Sequence, residues 1–365
     1  MSRRLLLLTV MLAVAWSAAG ADAPRKTRIF VVSSYHRAYL WSQSTQQGLC
    51  AALLKYGYLD TPQQADAFTA HDTVESTKAV LQKAWMDTKR HDSPQHMALA
   101  TQRITQAIQA FQPDLLLLGD DNAAHYLGNQ FIDTPIPVVF WGINGSPMKY
   151  GLVDHMEQPG HNVTGVWQSG YYQESLALLK LLVPQAKTFA ILAADSETSR
   201  PKIKQLMALH REGQLSLQLV DVVATNVFSL FQQRALELAQ RVDAFFVVNH
   251  DTLKDDQGQH VDMLTVGKWY LQHIAKPEAS DEDQFIREGL LCTANDSGYN
   301  QSYTAFEMAV EILEQGATPA HMRPRTPARG PLMVNRQRAA MLGINLETKR
   351  GLFDELVEEA LALKE

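Results

Sequence analysis

Residues 113–166 read PDLLLLGDDNAAHYLGNQFIDTPIPVVFWGINGSPMKYGLVDHMEQPGHNVTGV, and the folding of this stretch decides how the rest of the chain is read. Two apolar runs, 115–118 (LLLL) and 138–141 (VVFW), each end in polar residues beside a glycine: Gly119-Asp120-Asp121-Asn122 and Gly142-Ile143-Asn144. Unbroken apolar runs without alternation fit strands buried on both faces of a parallel sheet. In such sheets a ligand lodges in the crevice beyond the carboxyl ends of the strands. The two polar clusters are therefore the first candidates for a binding site.

Working outward, 27–33 (TRIFVVS) predicts a first buried strand. It runs into Ser34, Tyr35 and His36, and then a helix over 42–56. Tyr35, Tyr39 and Trp41 either stack on a ligand or cap the sheet. Residues 60–70 read as turn-like, with a short strand at most. From 74 the pattern turns helical, broken at 89–94 before a second helix that ends near 110. With the strands at 114–118 and 138–141 and a helix over 122–130 between them, the order is that of a doubly wound lobe. The Gly- and Pro-rich segment 142–162 reads as the passage to a second lobe.

That second lobe repeats the strand-then-helix pattern. Strands are expected at 188–193, 215–223, 244–248 and 289–294, and a last helix over 348–363. Their ends carry Asp195 and Ser196, Asn249 and Asp251, and Asp296 and Tyr299. The fold class is therefore α/β, with two doubly wound parallel-sheet lobes. The expected division is 24–145 plus about 296–325 for one lobe, and 146–295 plus about 326–365 for the other. About 344 residues remain after residues 1–21, more than one core usually serves.

The first 21 residues have the form of a secretory signal: Arg3 and Arg4, an apolar core over 5–16, and Ala19-Gly20-Ala21 as a cleavage site. No cysteine follows the core, so a periplasmic protein without a lipid anchor is expected. Without that segment the chain carries 31 basic against 39 acidic residues. This balance argues against nucleic acid or an anionic membrane surface as partner. Cys50 and Cys292 lie far apart in apolar surroundings and read as two buried thiols rather than a disulfide.

Motifs for catalysis are missing. Adjacent carboxylates such as Asp120 and Asp121 point apart at a strand end, which suits shared acid–base work poorly. No nucleophile elbow, phosphate loop or zinc-protease pattern occurs, and the twelve histidines lack metal-ligand spacing. Binding without a cofactor or metal is the reading that remains. Carboxylates would pair a ligand amine, and hydroxyls or backbone amides would take a carboxylate. Each cluster also has a plain use in capping helices and filling turns.

Several stretches carry a resemblance to a known family. They are 136–140 (IPVVF) with Gly142-Ile143-Asn144, 150–153 (YGLV), 159–166 (PGHNVTGV), Ser34-Tyr35-His36 with Trp41, 86–90 (MDTKR), and the ending from Val334 to Ile344. On these residues the chain resembles ABC-transporter substrate-binding proteins of the type I periplasmic fold, in the branch that includes tryptophan and tyrosine binders. The resemblance implies two α/β lobes joined by three crossovers, closing like a clamp on a small polar solute and delivering it to a membrane permease. It maps the cleft onto Ser34, Tyr35, Asp121, Asn144, Asp195, Asn249 and Asp296. The chain departs from amino-acid-binding members in its Ser-Tyr-His and in Asp120-Asp121, where many carry a small Gly-Thr-type loop. Relatives with Ser-Tyr-His also serve as sensor modules docked on signalling receptors, which is the alternative function. Asp121 and Asp296 are the expected partners of a cationic ligand group, Ser34 and Asn144 of hydrogen bonds, and Tyr35 or Trp141 of a stacked ring. His36, Asp120, Asn122, Asp195, Ser196, Asn249, Asp251 and Tyr299 complete the candidate set, and a monomer is expected.

Overall fold

The computed structural model describes residues 25–364. The expected signal peptide lies outside the described residues. The first sheet is built from β1 (Thr27–Ser33), β2 (Thr73–Glu75), β3 (Ala79–Trp85), β4 (Leu115–Gly119), β5 (Val138–Ile143) and β6 (Val163–Trp167), in the order β2-β3-β1-β4-β5-β6. All pairs are parallel except β2 with β3. The second sheet holds β7 (Thr188–Ala193), β8 (Gln218–Ala224), β9 (Ala244–Val247), β10 (Glu278–Ser280), β11 (Cys292–Ala294), β12 (Leu332–Asn335) and β13 (Glu355–Val357), in the order β13-β12-β11-β10-β9-β7-β8. Only β12 runs against its neighbour β11.

The apolar runs lack alternation because each one feeds two cores. Leu115, Leu117, Val139 and Trp141 face the helices Leu40–Lys55 and Gly298–Gln315. Leu116, Leu118, Val138 and Phe140 face the opposite side, against Pro94–Phe111. Ile191 and Leu192 divide in the same way between the two cores of the second sheet. Each such side chain contributes about 1.5–3 kcal/mol on burial, so a strand with both faces covered is held firmly.

Register then sets the rim. Ser33 lies opposite Gly119, and Gly119 opposite Trp141. The residues that follow, Ser34, Asp120 and Gly142, therefore share one edge of the first sheet. The chain crosses between lobes three times: after β6 at 168–171, after β11 at 295–297, and between Arg325 and β12. The crossings brace one another. Asp296 accepts from the Ser169 and Gly170 amides, each at 2.7 Å, and the Tyr171 hydroxyl donates to the Pro327 carbonyl at 3.0 Å.

Several local expectations are corrected. Segment 142–162 does not cross to the second lobe; its Tyr150, Leu152 and Val153 are buried in the first lobe's core, and β6 pairs with β5. The boundary therefore lies past 167 rather than at 145. Residues 62–71 form a helix, started by Thr61 accepting from the Gln64 amide with Pro62 in the first turn. The helix expected from 74 is instead the β2–β3 pair, whose Ala79, Leu81 and Lys83 alternate inward along β3. Pairing with β1 overrides local helical pattern there. The expected helix over 348–363 is a strand between two short turns, because β13 completes the sheet edge beside β12. Strand β10 and the helix Asp283–Glu288 were not foreseen. Cys50 and Cys292 are both free and buried.

Candidate functional site

The carboxyl ends of the two sheets face each other and the lobes are in contact. The Lys89 ammonium of the first lobe meets Asp251 of the second at 2.8 Å, and the Tyr39 hydroxyl donates to the same carboxylate. Tyr35 and Thr198 hydroxyls lie 3.3 Å apart across the seam, and Lys254 reaches Asp92 at 2.6 Å. Burial alone would raise the Asp251 carboxyl, but Lys89 and Tyr39 outweigh it and hold it below its usual range.

Asp120 stands at the centre of the first lobe's rim. Its φ of 71° is left-handed, a conformation that costs a non-glycine residue of order 1 kcal/mol or more. Gly119 and Gly142 make the room: a Cβ on Gly119 would stand 2.6 Å from the Trp141 ring, and one on Gly142 2.6 Å from Asp120 Oδ1. The indole N–H of Trp41 donates to that same Oδ1 at 2.6 Å. No cation pairs with Asp120 among the described residues. Burial pushes its carboxyl well above the usual range, assisted by neighbouring Asp121 and opposed by the Trp41 hydrogen bond.

Asp121 and Asp296 are occupied otherwise. Asp121 accepts from the Asn144 amide, the Asn144 side chain, the Gly145 amide and the Tyr150 hydroxyl, all within 2.9–3.0 Å. It anchors the loop after β5. Asp296 ties two crossings together and also accepts from Gln301 Nε2 at 2.9 Å, while burial pushes its carboxyl up to about 6. These bonds correct the expectation that the two hold a cationic group. They correct that of Asn144 too, whose side chain serves Asp121.

The other candidates divide. Ser34 is buried and structural, donating to the Gly119 carbonyl and accepting from the Ala123 amide. Trp141 is buried in the core behind β5, which corrects its stacking role, although its N–H has no partner among the described residues. Asp195 lies at the surface, paired with Arg200, and Ser196 bonds Ser199 within the same turn. Tyr299 is exposed on the first turn of its helix, stacks on Tyr303 and lines a pocket between the lobes with Gln43 and Arg287. His36 sits at the mouth of a small interlobe pocket with His260 and Asp262. Tyr35, Asn122, Asn249 and Asp251 remain in the buried seam with Asp120.

Sequence reasoning missed Lys89, Lys202, Asp281 and Glu282. Lys202 is wholly buried; its ammonium bonds Glu282 and approaches Asp281 Oδ2 at 2.8 Å without the alignment of a hydrogen bond. Burial would lower its pKa, but the two carboxylates outweigh that and raise it. Glu282 is pushed up to about 7 by burial, against the pull of Lys202. The acidic run 281–283 was the available signal: three carboxylates in direct succession.

Charge in the seam is unbalanced. Among the described residues, Asp120, Asp121, Asp251, Asp281, Glu282 and Asp296 are buried there and outnumber the buried lysines, Lys89 and Lys202, that pair with them. Buried polar atoms without partners among the described residues are mainly acceptors: Asn122 Oδ1, Gln168 Oε1, Asn249 Oδ1 and Asp281 Oδ1. Such atoms are costly unless a ligand or water meets them. The arrangement is suited to receive a donor-rich or cationic guest. No cluster able to hold a metal is found among the described residues.

A family model described as ABC transporter substrate binding protein matches residues 67–350. The chain belongs to that family. Its members bind solutes and are not enzymes. A crystal structure of an ABC domain in complex with L-Trp from Streptococcus pneumonia superimposes with TM-score 0.69 at 20% identity, covering 91% of this chain and 100% of that one. The ligand-free, open form of a Clostridium difficile substrate-binding protein with adhesive properties gives TM-score 0.62 at 21% identity, covering 88% and 96%. A tyrosine-binding protein from Clostridioides difficile (strain R20291) is 26% identical over 215 residues, 59% of this chain and 59% of that protein. The fold is that of the type I periplasmic binding proteins, as the sequence resemblance implied.

Proposed function

We propose that this protein captures a small amino-acid-like solute between its lobes, outside the cytoplasm, and presents it to the membrane permease of an ABC uptake system. Asp120 is the observation that carries the reading. It is a buried carboxylate without a cation, held in a strained backbone conformation that points to a function. A ligand ammonium would supply the missing charge. Tyr35, Asn249 and the Lys202–Asp281–Glu282 cluster supply the surrounding hydrogen bonds and set the guest's orientation. Closure follows because the guest touches both lobes; a solute bound equally well by open and closed forms would not shift that balance. The named ligands of the similar proteins, L-Trp and tyrosine, support an amino-acid class. The signal-like residues 1–21 support export to the periplasm.

Calorimetry and thermal shift on the purified chain test this against amino acids, simple amines, sugars and dicarboxylates. A true ligand at 100 times its dissociation constant stabilises by about 2.7 kcal/mol. Amine-bearing solutes should raise the melting temperature, and Asp120→Asn should abolish the rise. A response to sugars alone, or one indifferent to Asp120→Asn, overturns the assignment. Binding without any uptake through a neighbouring permease would move the protein to the sensing role.

A further inference from the structure

Asn122 lies two residues past Asp120, and its amide orientation is fixed by its surroundings. The Thr88 hydroxyl has one proton, which it gives to the Ser34 carbonyl at 2.9 Å. Thr88 Oγ1 can therefore only accept from Asn122, which stands 2.8 Å away. This turns the Asn122 nitrogen toward Thr88 and leaves Oδ1 facing elsewhere. Asn122 is 7% exposed, and Oδ1 has no hydrogen-bond partner among the described residues. The residue lines a pocket of about 180 Å³ between the lobes, bounded across the seam by Thr198, Asn226 and Thr252. Tyr35 links this pocket to the centre of the seam. It lies near enough to Asp120 to feel its charge, and its hydroxyl contacts Thr198 of the pocket wall.

We propose that this pocket is a second subsite of the same cleft, taking a polar, hydrogen-bond-donating end of the solute at Asn122 Oδ1. The inference rests on the function proposed above and narrows its substrate class to amine-bearing solutes with a hydroxyl or amide at the far end. The pocket volume corresponds to about six waters at roughly 30 Å³ each, enough for the end of a side chain. Its lining supports a polar occupant. Glu197 adds a further acceptor, while Lys89 and Arg200 are already engaged by Asp251 and Asp195. A site built around a buried acceptor penalises an analogue that leaves that acceptor unpaired.

The test measures dissociation constants for pairs in which one member lacks the distal donor of the other: tyrosine and phenylalanine, glutamine and norvaline, serine and alanine. In the wild-type chain at least one donor-bearing member should bind on the order of 10–100-fold more tightly than its partner. In Asn122→Leu that ratio should fall toward one. Equal binding within every pair by the wild-type chain, or a preference that survives Asn122→Leu, overturns the subsite while leaving the amine reading at Asp120 intact. If no amine binds at all, both readings fail. The wild-type ratios decide even if Asn122→Leu does not fold.

Discussion

Lys89 and Asp251 form a buried ion pair at 2.8 Å whose two members belong to different lobes. The pair exists only while the lobes touch, and the Lys89 ammonium also lies 4.4 Å from the centre of the Tyr35 ring. Closure is thus supported by direct contact between the lobes as well as by any guest.

Lys89→Met should shift the population toward open forms. It removes the cation that holds the Asp251 carboxyl low and leaves that carboxylate unpaired in the closed seam. Small-angle scattering of the ligand-free protein should show a larger radius of gyration. Ligand affinity should weaken about 10-fold or more, since the guest must then drive closure alone.

Asp120→Asn should separate stability from binding. The amide keeps the shape and can still accept the Trp41 N–H, while a buried, unpaired acidic group disappears. Chemical denaturation should show a ligand-free protein at least as stable as wild type. Affinity for an amine-bearing solute should fall on the order of 100-fold, equivalent to about 3 kcal/mol.

Asp121→Ala should do the reverse. It strands the Asn144 and Gly145 amides and the Tyr150 hydroxyl, which have no other acceptor in the loop that Asp121 anchors. A loss of about 3 kcal/mol in urea unfolding is expected. The ratio of affinities for different solutes should stay near the wild-type value.

The pH dependence follows from Glu282 and Asp296, whose carboxyls burial pushes up to about 7 and about 6. Between the ordinary carboxylate range and those values, the folded chain holds protons that the unfolded chain has lost. Stability therefore falls as pH rises, steepest from about 4.5 to 7, and their contribution is flat below about 4. Each proton so held gives a slope of about 1.4 kcal/mol per pH unit. The ligand-free melting temperature should be higher at pH 5 than at pH 8. Amine affinity should run the opposite way, rising with pH, because Asp120 must lose its proton to pair an ammonium.

The lobes, the strand ends and the carboxylate-rich rim were legible in the sequence. Runs such as LLLL at 115–118 and VVFW at 138–141 allow one economical fate, burial on both faces of a parallel sheet, and the polar residues after them must then lie on its edge. Local pattern carries that much because solvent exclusion acts on each run by itself. It carried less where pairing decided the outcome. The segment 79–85 became a strand because β1 had an open edge, and 355–357 because β12 did.

Which carboxylate is free was decided only by the tertiary structure. Asp120 and Asp121 are neighbours of the same type, and both are fully buried. One turns into the loop after β5 and finds four donors; the other turns toward the seam and finds one indole N–H. Lys202 and Glu282, 80 residues apart, likewise meet only when the second lobe is assembled. A residue's chemistry is set by what surrounds it, and those surroundings come from parts of the chain that sequence distance does not reveal.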